Sequence, residues 1–268
     1  MLWLELTSEH MPEALTDSGG LCLLPFGCIE RHGAHLPLGT DQITADEVAR
    51  RAAEIEPAVV FPSYFFGKIF TARHCAGTVA VSRRILLPLL EAACDEIARN
   101  GFRRILILNG HGGNVSMLHF FLRSLLEEER DYVVYSTNYY ELDPEARREW
   151  EAMQESEGGD HADEAETSVM LHLRPDLVHM EDLTGPEDGR NRGSQKDLAG
   201  LDNPAGWYAR YPTHYAGDAR KATADKGRFI VGAYVDKVVR QVRAIKSDAV
   251  TPDLLRQFYR DSEQPGQL

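Results

Sequence analysis

The sequence predicts one α/β domain across residues 1–268, with a mainly parallel β-sheet flanked by helices on both faces. Three observations predict it. Apolar runs of strand length alternate along the chain with segments of helical periodicity. The run at residues 105–108 is continuously apolar, as expected of a central parallel strand covered on both faces. No repeat, low-complexity tract or linker divides the chain, and 268 residues suffice for one substantial core.

The first informative stretch is LCLLPFGCIERHGAHLPLGTD, residues 21–41. It reads as a buried strand that breaks at Gly27 and runs into a polar loop carrying Glu30, His32, His35 and Asp41. Glu30 and His32 are two apart, so they share a side if extended geometry continues. Gly33, Pro37 and Gly39 let the backbone turn and bring Asp41 back toward them. A carboxylate, an imidazole and a second carboxylate converging on one point are ligands for a divalent transition metal. The plainer reading is a polar loop in which Asp41 caps the next helix. That helix places Ile43, Val48, Ala52 and Ile55 on one side and ends at Pro57.

Residues 58–62 read as a short buried strand, and residues 63–82, rich in aromatics and glycine, as a pocket-lining loop that carries His74. A helix follows over residues 85–100, with Pro88 in its first turn and Gly101 as its stop. The strand at 105–108 ends abruptly in Asn109-Gly110-His111-Gly112-Gly113-Asn114, and a helix is predicted over 115–129. Open α/β sheets place their ligands at such strand–turn–helix junctions. The turn has neither GxGxxG nor GK[ST], so a phosphate loop fits poorly and His111 fits better as a metal ligand.

Residues 132–137 form another predicted strand, and 143–157 a charged helix with a solvated face. A helix over 164–173 begins beside Asp160, His161, Asp163, Glu164 and Glu166 and stops at Pro175. The acidic residues suit the positive end of a helix, which explains them better than it explains His161. Residues 183–219 are polar and glycine-rich and hold Trp207, Tyr208, Tyr211, His214 and Tyr215, a composition expected of a lid, binding loop or subunit contact. An amphipathic helix over 221–246 closes the fold, followed by a short helix and a tail.

With 29 basic and 42 acidic residues the net charge is −13, which argues against a nucleic-acid partner. No apolar run is long enough to span a bilayer, and the acidic N-terminus lacks a secretory h-region. Cys22, Cys28, Cys75 and Cys94 contain no CxxC pair, so reduced thiols in a cytoplasmic protein are expected. Nothing marks Cys28 as an activated thiolate; its place beside a strand end fits burial.

Taken in order, PFGCIERHGAHLPLGTD, NGHGGN and HADEAETSVML resemble the motifs of the creatininase family of metal-dependent amidohydrolases. The resemblance implies a single, mainly parallel α/β domain holding two divalent metal ions (Zn, Mn or Fe). Glu30 and His111 would bind one metal and His32 the other, with Asp41 bridging. His161 would transfer a proton, His35 would sit in an outer layer, and His74, with Gly77 and Thr78, would lie near the active site. In creatininase a glutamate two residues after the strand-tip histidine binds the second metal. Here that residue is Gly113, and Glu166 (or Glu164) is the expected replacement, counted with His161 among the catalytic groups. Asn138, Tyr139 and Tyr140 stand where creatininase has substrate-embracing tryptophans, so a small molecule other than creatinine is expected, with Tyr139 near it.

The reaction implied is attack of a metal-bound hydroxide on an amide or cyclic amide carbonyl, with His161 protonating the leaving nitrogen. Related proteins act on formamides, on the C-terminal residues of a peptide, or on an oxidised cyclic polyol by C–C ring opening. The polyol reaction and a non-catalytic metal-binding role are the alternatives. A homo-oligomer, a hexamer by resemblance, is also implied.

Overall fold

The computed structural model describes residues 1–183, 193–198 and 200–266. Four strands, β1 (Leu21–Phe26), β2 (Val59–Val60), β3 (Arg104–Asn109) and β4 (Val133–Asn138), form one sheet in the order β2-β1-β3-β4. All three pairings are parallel. Side chains alternate between the faces. Leu21, Leu23, Leu106 and Leu108 pack on one face, and Cys22, Leu24, Phe26, Ile105 and Ile107 on the other.

The second face is covered by α1 (Met11–Asp17), α3 (Arg83–Arg99) and α4 (Val115–Ser124), through Ala14, Leu90, Ile97, Leu118 and Phe121. The first is covered by α2 (Thr40–Ile55), α5 (Pro144–Met153), α6 (Glu164–Leu173) and α8 (Ala224–Ser247). Sheet and helices therefore form the layered α/β architecture that the sequence predicts. A short α7 (Gly206–Arg210) and a terminal α9 (Val250–Glu263) complete the described helices.

The topology positions the site. From β1 the chain crosses through α2 to β2 on one side, then through α3 to β3 on the other. Phe26 is in register with Asn109, so β1 and β3 end together at the point where the strand order reverses. A crevice at that point is where open α/β sheets bind ligands. The segment leaving β1 carries Glu30 to Asp41, and the turn leaving β3 carries His111.

Several local expectations change. Strand β1 stops at Phe26, so Glu30 and His32 lie in a folded loop rather than on one face of a strand. Gly27 is needed for close approach: an added Cβ would lie 2.7 Å from the Gln42 nitrogen, because the first turn of α2 presses on it. Asp41 is not the cap of α2. Gly39 takes that place and Asp41 sits inside the first turn, leaving its carboxylate free for other partners.

The buried stripe of α2 is Ala45, Val48, Ala49 and Ala52, whose small side chains let it approach the sheet, while Ile55 is exposed. Helix α4 stops at Ser124 and continues as a 3-10 turn, and α5 buries Trp150 opposite the solvated face expected of it. Of the long polar segment, residues 184–192 and 199 lie outside the described residues; the rest holds a 3-10 turn (Gly193–Leu198) and α7. Among the described residues, no helix is long and apolar enough to cross a membrane.

Candidate metal centre

At the ends of β1 and β3 the structure gathers Glu30, His32, Asp41, His111, His161 and Glu166. With Cys28 added, their donor atoms form three groups, each within 4.8 Å: Cys28, Glu30, Asp41 and His111; Glu30, His32 and His161; and His32, Asp41 and Glu166. Glu30, His32 and Asp41 are fully or almost fully buried, and Glu166 is half-buried, opening on a cavity.

Asp41 stands between two imidazoles. Its Oδ1 is 3.0 Å from His32 Nε2, and its Oδ2 is 3.0 Å from His111 Nδ1. His111 Nδ1 also lies 2.9 Å from Glu30 Oε1, and His32 Nε2 lies 4.0 Å from Glu166 Oε2. Each histidine uses its other nitrogen to donate to a backbone carbonyl: His32 Nδ1 to Glu30 at 3.2 Å, and His111 Nε2 to Lys68 at 3.2 Å. A carbonyl can only accept, so the anchor fixes each ring and turns the remaining nitrogen toward the carboxylates. Metal-ligating histidines are oriented in this way.

Gly113 makes the His111 anchor possible. A Cβ there would overlap the His111 ring, so the position that lacks a glutamate is also the space that this ring occupies.

The buried carboxylates and imidazoles shift one another strongly. Burial alone would strip the charge from His32, but the Asp41 carboxylate outweighs it and holds the ring at about 10. His111 is raised well above the ordinary imidazole value, Glu30 and Asp41 overcoming its burial. Burial would raise Asp41, yet His32 and His111 bring it down to about 2. Glu166 goes the other way: burial, with the charges of Asp41 and Asp163, lifts it to about 7 despite His32. Glu30 Oε1 has no aligned hydrogen bond although it is buried. Three clustered carboxylates, two ring nitrogens aimed at them and an orphaned carboxylate oxygen form a mixed N/O donor set suited to divalent cations.

His161 lies just before α6 and stacks on His32, ring centroids 4.1 Å apart. Its Nε2 donates to the Arg31 carbonyl at 2.8 Å, leaving Nδ1 with a free lone pair. Burial, and then the charge on His32, push it down to about 3. Asp163 caps α6 by accepting from the Ala165 and Glu166 amides, which sets the direction of the turn carrying Glu166. The Ala162 amide donates to Glu166 Oε2 at 2.5 Å.

Of the two glutamates weighed for the second metal, the structure brings only Glu166 into the cluster. Glu164 instead binds Lys226 Nζ at 2.6 Å and accepts from the Glu155 and Ser156 amides.

Other candidates fall outside the cluster. His35 is buried one layer away, its Nε2 2.8 Å from Thr167 Oγ1. His74 is exposed and its Nε2 donates to the Pro212 carbonyl at 2.8 Å, so it fastens a loop at the edge of the site, its ring 6.4 Å from that of His214. Tyr139 is buried beneath the site and lines its cavity with Tyr140, Trp150 and Tyr234. That cavity measures about 310 Å³ and reaches Asp41 and Glu166. The Cys28 thiol is buried, donates to Asp41 Oδ2 at 3.1 Å and is raised well above its usual value by burial and then by Asp41, so it is no activated nucleophile.

His214 is not singled out by its sequence context, yet it is buried here with Nε2 2.7 Å from Glu30 Oε2. Its placement in a polar, aperiodic stretch 184 residues from Glu30 carries no signal.

A family model described as creatininase, creatinine amidohydrolase, matches residues 4–242. A mycofactocin precursor peptide peptidase of Mycobacterium tuberculosis is 33% identical over 251 residues, covering 88% of each chain. The creatinine amidohydrolase of Pseudomonas putida is 28% identical over 197 residues, 66% of this chain and 73% of that one. The crystal structure of a creatininase superposes with a TM-score of 0.74 at 26% identity, over 92% of this chain and 98% of that one. A manganese creatininase gives 0.75 at 25%, over 92% and 99%.

Proposed function

Because this chain belongs to the creatininase family of metal-dependent amidohydrolases, we propose that it holds two divalent metal ions across Asp41 and hydrolyses an amide C–N bond. The observation that carries the reading is the Asp41 carboxylate, whose two oxygens face different, separately anchored imidazole nitrogens. Glu30, Asp41 and His111 would hold one ion, and His32, Asp41 and Glu166 the other. A pair of such ions supplies Lewis-acid polarisation and acidifies water toward neutrality.

The chain's own groups supply the rest. His161, with Nε2 tied to the Arg31 carbonyl, keeps Nδ1 free to take up a proton and return it to the leaving nitrogen. The cavity presents the amide: Tyr139, Tyr140, Trp150 and Tyr234 give it aromatic walls, and its volume of about 310 Å³ lies at the small end of ligand sites. A peptide-like amide is favoured over creatinine. A peptidase relative matches 88% of the chain, and tyrosines stand where the creatinine-holding tryptophans are expected.

The test is to strip the protein with a chelator, reload it with Mn or Zn, and assay linear peptide amides, cyclic amides and creatinine. Amide hydrolysis should return only with metal. His161→Ala should lower kcat by about 10²–10⁴-fold with the metal retained. Fully loaded protein that cleaves no amide, or a His161→Ala variant with unchanged kcat, would contradict the reading.

A further inference from the structure

We propose that His214 is a positioning residue for the metal centre, aiming Glu30 at its ligand pocket, and that Trp207 fixes the tautomer in which His214 does so. The hydrogen-bond directions define the relay. The Trp207 indole is a donor only, and its Nε1–H points at His214 Nδ1 from 3.1 Å. That nitrogen must therefore accept, so the imidazole carries its proton on Nε2 and donates it to Glu30 Oε2 at 2.7 Å. With Oε2 engaged, Oε1 is the oxygen left facing His111 Nδ1, 2.9 Å away and without an aligned partner of its own. His214 thus decides which edge of the Glu30 carboxylate faces the site.

The backbone is built to deliver this ring. His214 has φ +58°, in the left-handed region that a non-glycine residue rarely adopts. Strain of that kind persists only where surrounding contacts enforce it. Here they come from three sides. The Gly33 amide, in the ligand loop itself, donates to the His214 carbonyl at 3.1 Å. Two residues on, Ala216 exchanges backbone hydrogen bonds with His161 at 3.0 and 3.2 Å. On the outside, His74 grips the Pro212 carbonyl at 2.8 Å, and its ring meets Tyr208 edge-on at 4.8 Å.

Residues 206–216 therefore form a strap fastened to the Glu30 loop, to the His161 turn and to the outer loop, with His214 as its inward contact. The strap gives His74 its role as a clasp. Outer-layer partners that orient metal ligands are worth about 10–100-fold in metal affinity.

The inference rests on the metal reading above, and one titration separates the two. Manganese affinity is measured by chelator competition on the full chain as wild type, Glu30→Gln, His214→Leu, His214→Gln and Trp207→Phe, with circular dichroism of each metal-free protein. A glutamine amide can donate from near the Nε2 position, whereas leucine cannot. His214→Leu should weaken manganese binding about 10–100-fold, and His214→Gln should recover most of the loss. Trp207→Phe, which keeps a ring and removes only the N–H donor, should weaken binding by a smaller factor, and it carries the test if His214→Leu does not fold. Wild-type affinity in His214→Leu, or in Trp207→Phe, overturns the relay while a loss in Glu30→Gln leaves the metal reading standing. His214→Gln binding manganese no better than His214→Leu overturns it as well. A wild-type chain that binds no manganese would refute the metal reading itself.

Discussion

Glu30 and Asp41 both face His111 Nδ1, at 2.9 and 3.0 Å, and Asp41 also faces His32 Nε2 at 3.0 Å, with Glu166 4.0 Å from the same nitrogen. The cost of crowding shows at Glu166, which burial and the neighbouring carboxylates lift to about 7. Glu164, two residues away on the same helix, serves the fold instead, its carboxylate paired with Lys226 at 2.6 Å in a buried network. Glu166→Gln and Glu164→Gln should therefore behave differently. Glu166→Gln should leave the fold intact and reduce bound metal from two ions per chain to one. Glu164→Gln should keep both ions but lower stability by about 3 kcal/mol, the low end for a broken buried ion pair because Lys226 keeps Glu155 at 2.8 Å. Elemental analysis and denaturant unfolding of both variants check this, and the reverse pattern would refute the assignment of Glu166.

The elements that aim these residues are set by close approaches as much as by capping. Helix α8 crosses α6 at Gly227, where an added Cβ would overlap the Ser168 carbonyl. The Ser168 hydroxyl also accepts from the Thr223 amide at 3.1 Å, so the start of α8 is keyed to the helix that carries Glu166. Gly227→Ala should force the helices apart, at a cost of about 1–3 kcal/mol. For a chain of this size that is a fall in Tm of roughly 2–10 °C. An unchanged Tm in a thermal melt would mean that the crossing is looser than described.

Periodicity places α6 over Glu164–Leu173 and finds the strands and the large helices, because burying a face imposes a period that survives in sequence. It is silent on the Gly227 crossing, since a glycine inside an amphipathic helix looks the same whether or not another backbone touches it. The extended-strand argument for Glu30 and His32 fails for a related reason. Their convergence comes from a loop that folds at Gly33 (φ +64°), a turn the glycine signals in sequence, and through the His32–Leu36 bridge, which no local pattern encodes.

At the scale of the molecule, parallel strand order creates the crevice between β1 and β3, and chain segments far apart in sequence fill it. The ligand-type residues that lie close to strand ends, Glu30, His32, Asp41 and His111, are legible from composition and spacing. His214 is not, because it reaches Glu30 only through the path of the strap. His74 is legible as a histidine in a pocket-like loop, but it acts on the outside of that strap.

The proposed pair of metal ions would flank Asp41. The most direct measurement is anomalous diffraction at the manganese edge from crystals of manganese-loaded protein. Two anomalous peaks are expected about 3.5–4 Å apart, one beside Glu30 and His111 and one beside His32 and Glu166, with the Asp41 carboxylate between them. A single peak, or peaks away from Asp41, would contradict this arrangement.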